Sequence, residues 1–395
     1  MNNGRDVVVV AGVRTAIGDF GGSLKDFAPT ELAARCVKEA LSRAKVAPGE
    51  VGHVVFGNVI HTEPKDMYLA RVASINGGVP KEVPALTLNR LCGSGLQAIV
   101  SAAQIVALGD ADVAVAGGAE SMSRSNYWIP SARWGSKMGD QVMMDALIGA
   151  LSDPFHNIHM GVTAENVAKQ YGIGREEQDK LSVESHQRAA NAIKNGWFKE
   201  QILPIEIKDR KGVKLFDTDE HVRSDVSMDN LAKLRPAFQK DGSVTPGNAS
   251  GINDAAAAVV LMEAKTAEKR GAKPLARLVA YGHAGVEPTV MGLGPIPAVK
   301  SAMKKAGLKV ADMDVVESNE AFAVQACAVA KDLGLDPKKT NPNGGAIALG
   351  HPIGASGSII SIKALYELQR IKGNYALATM CIGGGQGIAA IYERL

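Results

Sequence analysis

The chain has 395 residues, 46% of them hydrophobic and 22% charged, with a net charge of +3. That balance excludes a disordered or fibrous chain and allows two or three domain-sized units, each with its own core. The pI near 8.5 and the absence of any dense Lys/Arg block are too mild a signal to imply nucleic acid as a partner, and none is expected, but they leave room for a local anionic ligand.

The chain opens with Met1–Asp6 and runs straight into an apolar strand, Val7–Val10, with no cationic leader ahead of a cleavable apolar stretch. Its last residues, Glu393-Arg394-Leu395, lack the Ser-Lys-Leu peroxisomal address. No apolar run is read as approaching a membrane span. Four cysteines, Cys36, Cys92, Cys327 and Cys381, have no short paired spacing and read as reduced thiols, not as a disulfide framework or a zinc site. The expected setting is the cytoplasm, away from membranes.

A helical segment, Lys38–Ala44, precedes an apolar strand, Val54–Gly57, that ends at Asn58. Asn89-Arg90-Leu91-Cys92-Gly93-Ser94-Gly95 then leads into a small-residue helix, Leu96–Leu108, and an apolar strand, Val113–Ala116, that ends in Gly117-Gly118. These strands are apolar throughout, as strands covered by helices on both faces are. Residues 121–264 follow, with aromatic and Met-rich segments (Tyr127-Trp128, Met143-Met144) and a polar helix near Arg175–Asn195.

Beyond residue 265 the first pattern returns, displaced by about 260 residues. A helix at Val299–Ala306 precedes a strand, Val315–Ser318, ending at Asn319. Ser356-Gly357 answers Ser94-Gly95 and opens a helix, Ser358–Arg370, and the strand Ala376–Cys381 runs into Gly383-Gly384. The repeat predicts an α/β chain of two related halves, 1–120 and 265–395. The stretch 121–264 is expected to be an insert that covers one end of the duplicated core. In such sheets ligands bind at the C-terminal ends of the strands, where the Asn and Gly turns fall.

Cys92 stands just before a helix, whose free N–H groups and positive dipole end predict a lowered pKa and a thiolate nucleophile. An isolated Cys is more often a small core residue, but Gly93 and Gly95 provide backbone access that packing does not need. His351, between Gly350 and Pro352-Ile353-Gly354, meets the Cys92 turn if the halves are related by a pseudo-twofold axis. Cys381 precedes three glycines, where a backbone nest binds negative charge. Asn319 presents an amide, or fixes a water, for an oxyanion site. A strand-end Asn ordinarily serves a local turn, and Asn58 is read that way. No P-loop, G-x-S-x-G elbow or G-x-G-x-x-G fingerprint is present, and His156 and His159 complete no ligand set, so no metal is expected.

Taken together, Asn89–Ala98, Gly117–Ser123, His159-Met160-Gly161, Gly247–Gly251, Asn319–Phe322, Gly344–Gly357 and Cys381–Gly387 resemble the thiolase family, of the short-chain biosynthetic type, over the whole length. The resemblance implies a five-layered α-β-α-β-α core with an inserted loop domain, 121–264, for CoA binding and oligomerisation, which also carries the last strand and helix of the N-terminal half. It makes Cys92 the acylated nucleophile, His351 its activator and Cys381 the acid/base at the α-carbon. One oxyanion hole would be His351 with a water on Asn319, and the other the backbone N–H groups of Cys92 and Gly383. The implied substrates are acetyl-CoA, acetoacetyl-CoA and CoA, with no further cofactor. They would be bound by Ser250 and His159 at the pantetheine, Arg223 at the nucleotide and Met160 and Phe322 as walls of the acyl pocket, with Leu151, Phe238 and Ala321 as further substrate or CoA contacts. Arg124–Asp145 resembles the loop through which dimers pair into homotetramers. Two positions depart from the family pattern: Pro246 and Ser318 each stand where a small Ala is usual. The rivals are a broad-range or degradative 3-ketoacyl-CoA thiolase, a ketoacyl synthase, which would pair its Cys with two histidines, and a non-catalytic acyl-CoA-binding protein, which would have lost Cys92, His351 or Cys381.

Overall fold

Strands apolar on both faces demand helices on both sides, and the architecture follows from that need. The computed structural model describes residues 4–209 and 212–395; residues 1–3, at the head of the segment read for a leader, and 210–211 lie outside the described residues. In the first half the elements are β1 (Val7–Thr15), α1 (Pro29–Ala44), β2 (His53–Gly57), α2 (Leu69–Asn76), β3 (Ala85–Leu88), α3 (Ser94–Leu108), β4 (Val113–Ser121) and β5 (Asn253–Glu263). They make a sheet ordered β3-β2-β4-β5-β1, parallel from β3 to β4 and antiparallel from β4 to β1. β5 comes from within the stretch 121–264, and α2 and β3 were not anticipated.

The inserted segment carries α4 (Met160–Tyr171) and α5 (Arg175–Lys194) besides short hairpins. The second half contains β6 (Ala276–Gly285), α6 (Pro295–Ala306), β7 (Val315–Ser318), α7 (Ala323–Leu333), α8 (Ile353–Ile371), β8 (Tyr375–Ile382) and β9 (Gln386–Arg394). Its sheet, β7-β8-β9-β6, repeats both the order and the polarity of the first, and a parallel bridge from Val316 to Thr340 takes the place of β3. The two sheets touch edge to edge where Val8 and Val9 of β1 pair with Arg277 and Ala276 of β6.

Five layers result. α1 and α2 cover the outer face of the first sheet, α6 and α7 that of the second, and α3 and α8 pack together between the two sheets. A close approach sets that central pair: Gly95 of α3 lies against Ala355 and Ser358 of α8, Gly357 of α8 lies against Leu96, and the Ser358 hydroxyl donates to the Gly95 carbonyl at 3.0 Å. A Cβ at either glycine would collide with the facing helix, so the helices cross at their N-terminal turns. This crossing brings together the segments that precede the two helices.

The central layer also corrects the expectation about apolar runs. Leu91–Leu108, with a mean hydropathy of 1.6, is long and apolar enough to cross a membrane. Its apolarity answers a different need, since α3 packs on β2 and β4 on one side and on α8 on another.

The insert is fastened to the first half by a buried ion pair. The Arg14 guanidinium on β1 donates two bonds to the Asp219 carboxylate, at 2.7 and 2.9 Å, and a third to Gln201 Oε1 at 2.8 Å; both charged side chains are fully buried. The Arg14→Met variant strands the Asp219 charge and is expected to destabilise the protein by about 3–5 kcal/mol, seen as a lowered denaturant midpoint. Loss of less than about 1 kcal/mol would mean that water reaches Asp219.

Candidate active site

Cys92 sits on a strained turn. Leu91, just before it, has φ +43°, a left-handed conformation that a branched side chain rarely adopts. Side chains hold it there: Asn89 Oδ1 accepts from the Leu91 N–H at 2.8 Å, and the Ser94 hydroxyl donates to the Leu91 carbonyl at 2.7 Å while accepting from the Arg90 N–H at 2.8 Å. The turn thus presents Cys92, half-buried, ahead of α3. Two backbone N–H groups, those of Gly383 and of Cys92 itself, point at its sulfur. They belong to different halves, so the donor pair exists only once the chain has folded.

The expected lowering of the Cys92 pKa is corrected by the structure. Burial pushes the thiol up to about 11, aided by the neighbouring Glu120 carboxylate and opposed by those two N–H groups. Desolvation outweighs the helix terminus, so the resting group is a thiol that needs a base. Cys381, at the end of β8, is fully buried; burial and the adjacent Cys92 push its thiol up further still. The two thiols are therefore neighbours.

His351 follows Gly350, whose φ of +103° and close contact with the Asn253 side chain admit only glycine. Asn253 Oδ1 accepts from the His351 N–H at 2.9 Å. The His351 ring meets Ser356 Oγ through Nδ1 at 2.6 Å, and that hydroxyl spends its own proton on the Pro352 carbonyl at 2.9 Å. Nδ1 must therefore carry hydrogen, which leaves Nε2 as a bare acceptor. Nε2 is buried with no hydrogen-bond partner among the described residues, and burial depresses the ring to about 4, so the imidazole is neutral. Such a ring can accept a proton at Nε2.

Asn319 follows β7, its N–H bonded to the Thr379 carbonyl at 3.0 Å and its Nδ2 buried without a partner among the described residues. Asn319, Gly350 and Ser356 line one cavity of about 20 Å³, room for a single water. Asn341 grips Ser318 from both sides, accepting from its N–H at 2.9 Å and donating to its carbonyl at 2.8 Å, so the departure at Ser318 leaves the backbone beside Asn319 fixed.

Around these groups the acyl-pocket candidates converge. Met160, Ala321, Phe322 and Cys381 share one apolar cluster with Phe238 packed on it, and the Met160 methyl lies against Gly383. Phe238 stacks on His159 with centroids 4.7 Å apart and meets Phe322 edge-on at 6.2 Å. His159 Nδ1 accepts from the Gly161 N–H at 3.0 Å, so its other nitrogen bears the hydrogen and faces outward as a donor. The Leu151 carbonyl accepts from the Met160 N–H at 2.8 Å, and Leu151 packs with Cys92 in a second small cluster. The Ser250 N–H donates to the Ala321 carbonyl at 3.0 Å. Arg223 stands apart: its side chain is exposed, and only its N–H is engaged, by His186 Nδ1 at 3.1 Å. Pro246 sits in the turn from Thr245 to Asn248, a place where its missing N–H forfeits nothing.

Models of the thiolase N-terminal and C-terminal domains match residues 7–265 and 272–394. The chain belongs to the thiolase family. This thiolase is 68% identical to the β-ketothiolase BktB of Cupriavidus necator, over 99% of the chain and 100% of that protein. It is 50% identical to the acetyl-CoA acetyltransferase of Syntrophomonas wolfei, again over 99% and 100%. The crystal structure of human mitochondrial 3-ketoacyl-CoA thiolase superposes with a TM-score of 0.97 at 48% identity, covering 99% of both chains; the crystal structure of that enzyme in complex with CoA superposes with a TM-score of 0.96 at 47% identity, covering 99% of this chain and 98% of that one.

Three residues of this thiolase site escaped the sequence reading. Ser356 and Asn253 orient His351, and Glu120 is a fully buried carboxylate beside Cys92. Asn58, read as a local turn residue, is in fact buried and donates to the Ala119 carbonyl at 2.9 Å and to Glu120 Oε1 at 3.1 Å. Its bonds reach some sixty residues along the chain, which turn geometry does not reveal. Among the described residues no group of three or more His, Cys, Asp or Glu side chains is arranged to hold a metal ion.

Proposed function

We propose that this thiolase is an acetyl-CoA C-acetyltransferase that condenses two acetyl-CoA molecules to acetoacetyl-CoA and CoA, and catalyses the reverse thiolysis, through an acetyl–Cys92 intermediate. The observation that carries the reading is the His351 ring, with Nε2 buried and bare, on the turn into α8, where Ile353 packs in one small apolar cluster with Cys92. The names of the relatives support the substrate class.

His351 takes the Cys92 proton, and the sulfur attacks the thioester carbon of acetyl-CoA. The oxyanion forms between the N–H groups of Cys92 and Gly383. CoA departs with a proton from the Cys381 thiol, leaving a Cys381 thiolate and a His351 imidazolium. A second acetyl-CoA then enters, and the Cys381 thiolate removes its α-proton. A thiol held so far above its ordinary range makes a strong base once ionised, which a weakly acidic carbon requires. The enolate oxygen is stabilised by His351 and by a water on Asn319. Its carbon attacks the acetyl group, and Cys92 leaves and recovers its proton from His351. No metal or redox group enters this sequence.

In the same reading CoA lies along the insert, with His159 and Ser250 towards the pantetheine and Arg223 beside the nucleotide, while Leu151, Met160, Phe238, Ala321 and Phe322 enclose the acyl end. The loop over 127–144 exposes Trp134 at 89% and Met138 at 92%, with Tyr127, Trp128 and Met143 beside them. Such a patch supports assembly as a homotetramer, in the cytoplasm. Intact-protein and peptide mass spectrometry after brief exposure to acetyl-CoA tests the chemistry. An acetyl group on the Cys92 peptide, absent from Cys92→Ser, is the expected result; CoA binding without a covalent adduct would leave a binding protein.

A further inference from the structure

Glu120, next to the end of β4, takes no part in the proton transfers above, yet it is fully buried and fully engaged. Oε1 accepts from the Ile60 N–H at 3.0 Å and from Asn58 Nδ2 at 3.1 Å; Oε2 accepts from the Val59 N–H at 3.1 Å and from the Gly354 N–H at 2.8 Å. Three of these donors belong to the segment that leaves β2, in the half that carries Cys92. The fourth belongs to the first turn of α8, three residues beyond His351. One carboxylate thus bridges the halves at the point where nucleophile and base must meet.

Two further facts separate this contact from ordinary satisfaction of a buried acid. Gly354 leaves no space for a side chain against Oε2, so the approach of the α8 turn is set by this contact. Burial pushes the Glu120 carboxyl up to about 8, against the lowering pull of the Ile60, Val59 and Gly354 N–H groups and of the positive end of the 19-residue helix it faces.

We propose that Glu120 is a positioning residue of acyl transfer, which sets the His351 turn against Cys92 by joining the β2 exit to the first turn of α8. This rests on the reading of Cys92 and His351 as nucleophile and base. A misplacement of about 1 Å between reacting groups costs about a hundredfold in rate, which fixes the scale of the test. In Glu120→Gln an amide NH2 confronts one pair of N–H donors, and the turn must shift.

The experiment is single-turnover acetylation of Cys92 by acetyl-CoA, followed by rapid-quench mass spectrometry on wild type, Glu120→Gln and Asn58→Ala. The expected result for Glu120→Gln is a rate constant lower by about 30–100-fold, with the acetylatable fraction and the KM for acetyl-CoA unchanged. Asn58→Ala, which removes one of the four donors, is expected to slow the step less, by about 3–10-fold, and carries the test if Glu120→Gln does not fold. A rate constant equal to wild type in the surviving fraction, with only that fraction or the thermal stability reduced, would make Glu120 structural and overturn the proposal. Absence of acetylation in the wild type would overturn the parent reading itself, a different and separable failure.

Discussion

The His351→Ala variant is expected to acetylate Cys92 about 10³–10⁴-fold more slowly than wild type at pH 7. The reason lies in the thiol. Burial holds Cys92 at about 11, so only about one molecule in ten thousand carries a thiolate at pH 7 without a base. His351, depressed to about 4 by the same burial, is in its basic form across the neutral range and removes that limitation. The pH dependence follows in sign: the wild-type rate is flat above about pH 5 in this step, whereas the variant's rises about tenfold per pH unit from 7 to 10, as the thiolate fraction grows. Rapid-quench mass spectrometry over that range checks both. A variant with wild-type rate and a flat profile would show that another group takes the proton.

The second large effect is expected at Cys381. Replacing it by Ala leaves a Cys92 that still becomes acetylated, because His351, Ser356 and the two N–H donors are untouched, but more slowly, because departing CoA loses its proton donor. Condensation, however, loses the group that removes the α-proton, and its kcat is expected to fall by about 10³ or more. Acetyl-enzyme then accumulates and persists in the presence of acetyl-CoA. Exchange of the acetyl-CoA methyl protons with D₂O isolates the step: it proceeds in wild type and stops in Cys381→Ala. Exchange at the wild-type rate in the variant would assign α-proton removal to His351 or to water. The two substitutions therefore separate activation of Cys92, which needs His351, from removal of the α-proton, which needs Cys381.

Much of the fold was legible because duplication leaves landmarks at a constant offset. The Asn58 and Asn319 strand ends, the Ser94-Gly95 and Ser356-Gly357 helix starts and the apolar strands before glycines are the same features twice, and each is local. α2 and β3 were missed for an equally local reason. Leu69–Asn76 is a short helix, and Ala85–Leu88 is a four-residue edge strand, half-exposed, with none of the continuous apolar run that marked its neighbours. The end of the insert was blurred because β5, which completes the first sheet, lies at the end of the same stretch 121–264. The apolar stretch Leu91–Leu108 was misjudged because hydropathy does not distinguish a helix sandwiched between two sheets from one destined for lipid.

The amino-acid order by itself determined which reactive groups this protein has and how each is displayed. Cys92, His351, Cys381 and Asn319 stand on turns rich in small residues, and backbone access of that kind is written in the neighbouring residues. The tertiary structure alone decided their protonation and partnership. Whether Cys92 is thiolate or thiol depends on how far water is excluded from it, and burial outweighs the helix terminus that the local order displays. His351 Nε2 is left free to accept a proton because Ser356 spends its hydroxyl proton elsewhere. Glu120 and Asn253 act on the site through backbone N–H groups more than ninety residues away. Every residue but proline carries such an N–H, so no side-chain pattern announces which one a buried carboxylate or amide will find; only the packing of α3 against α8 does.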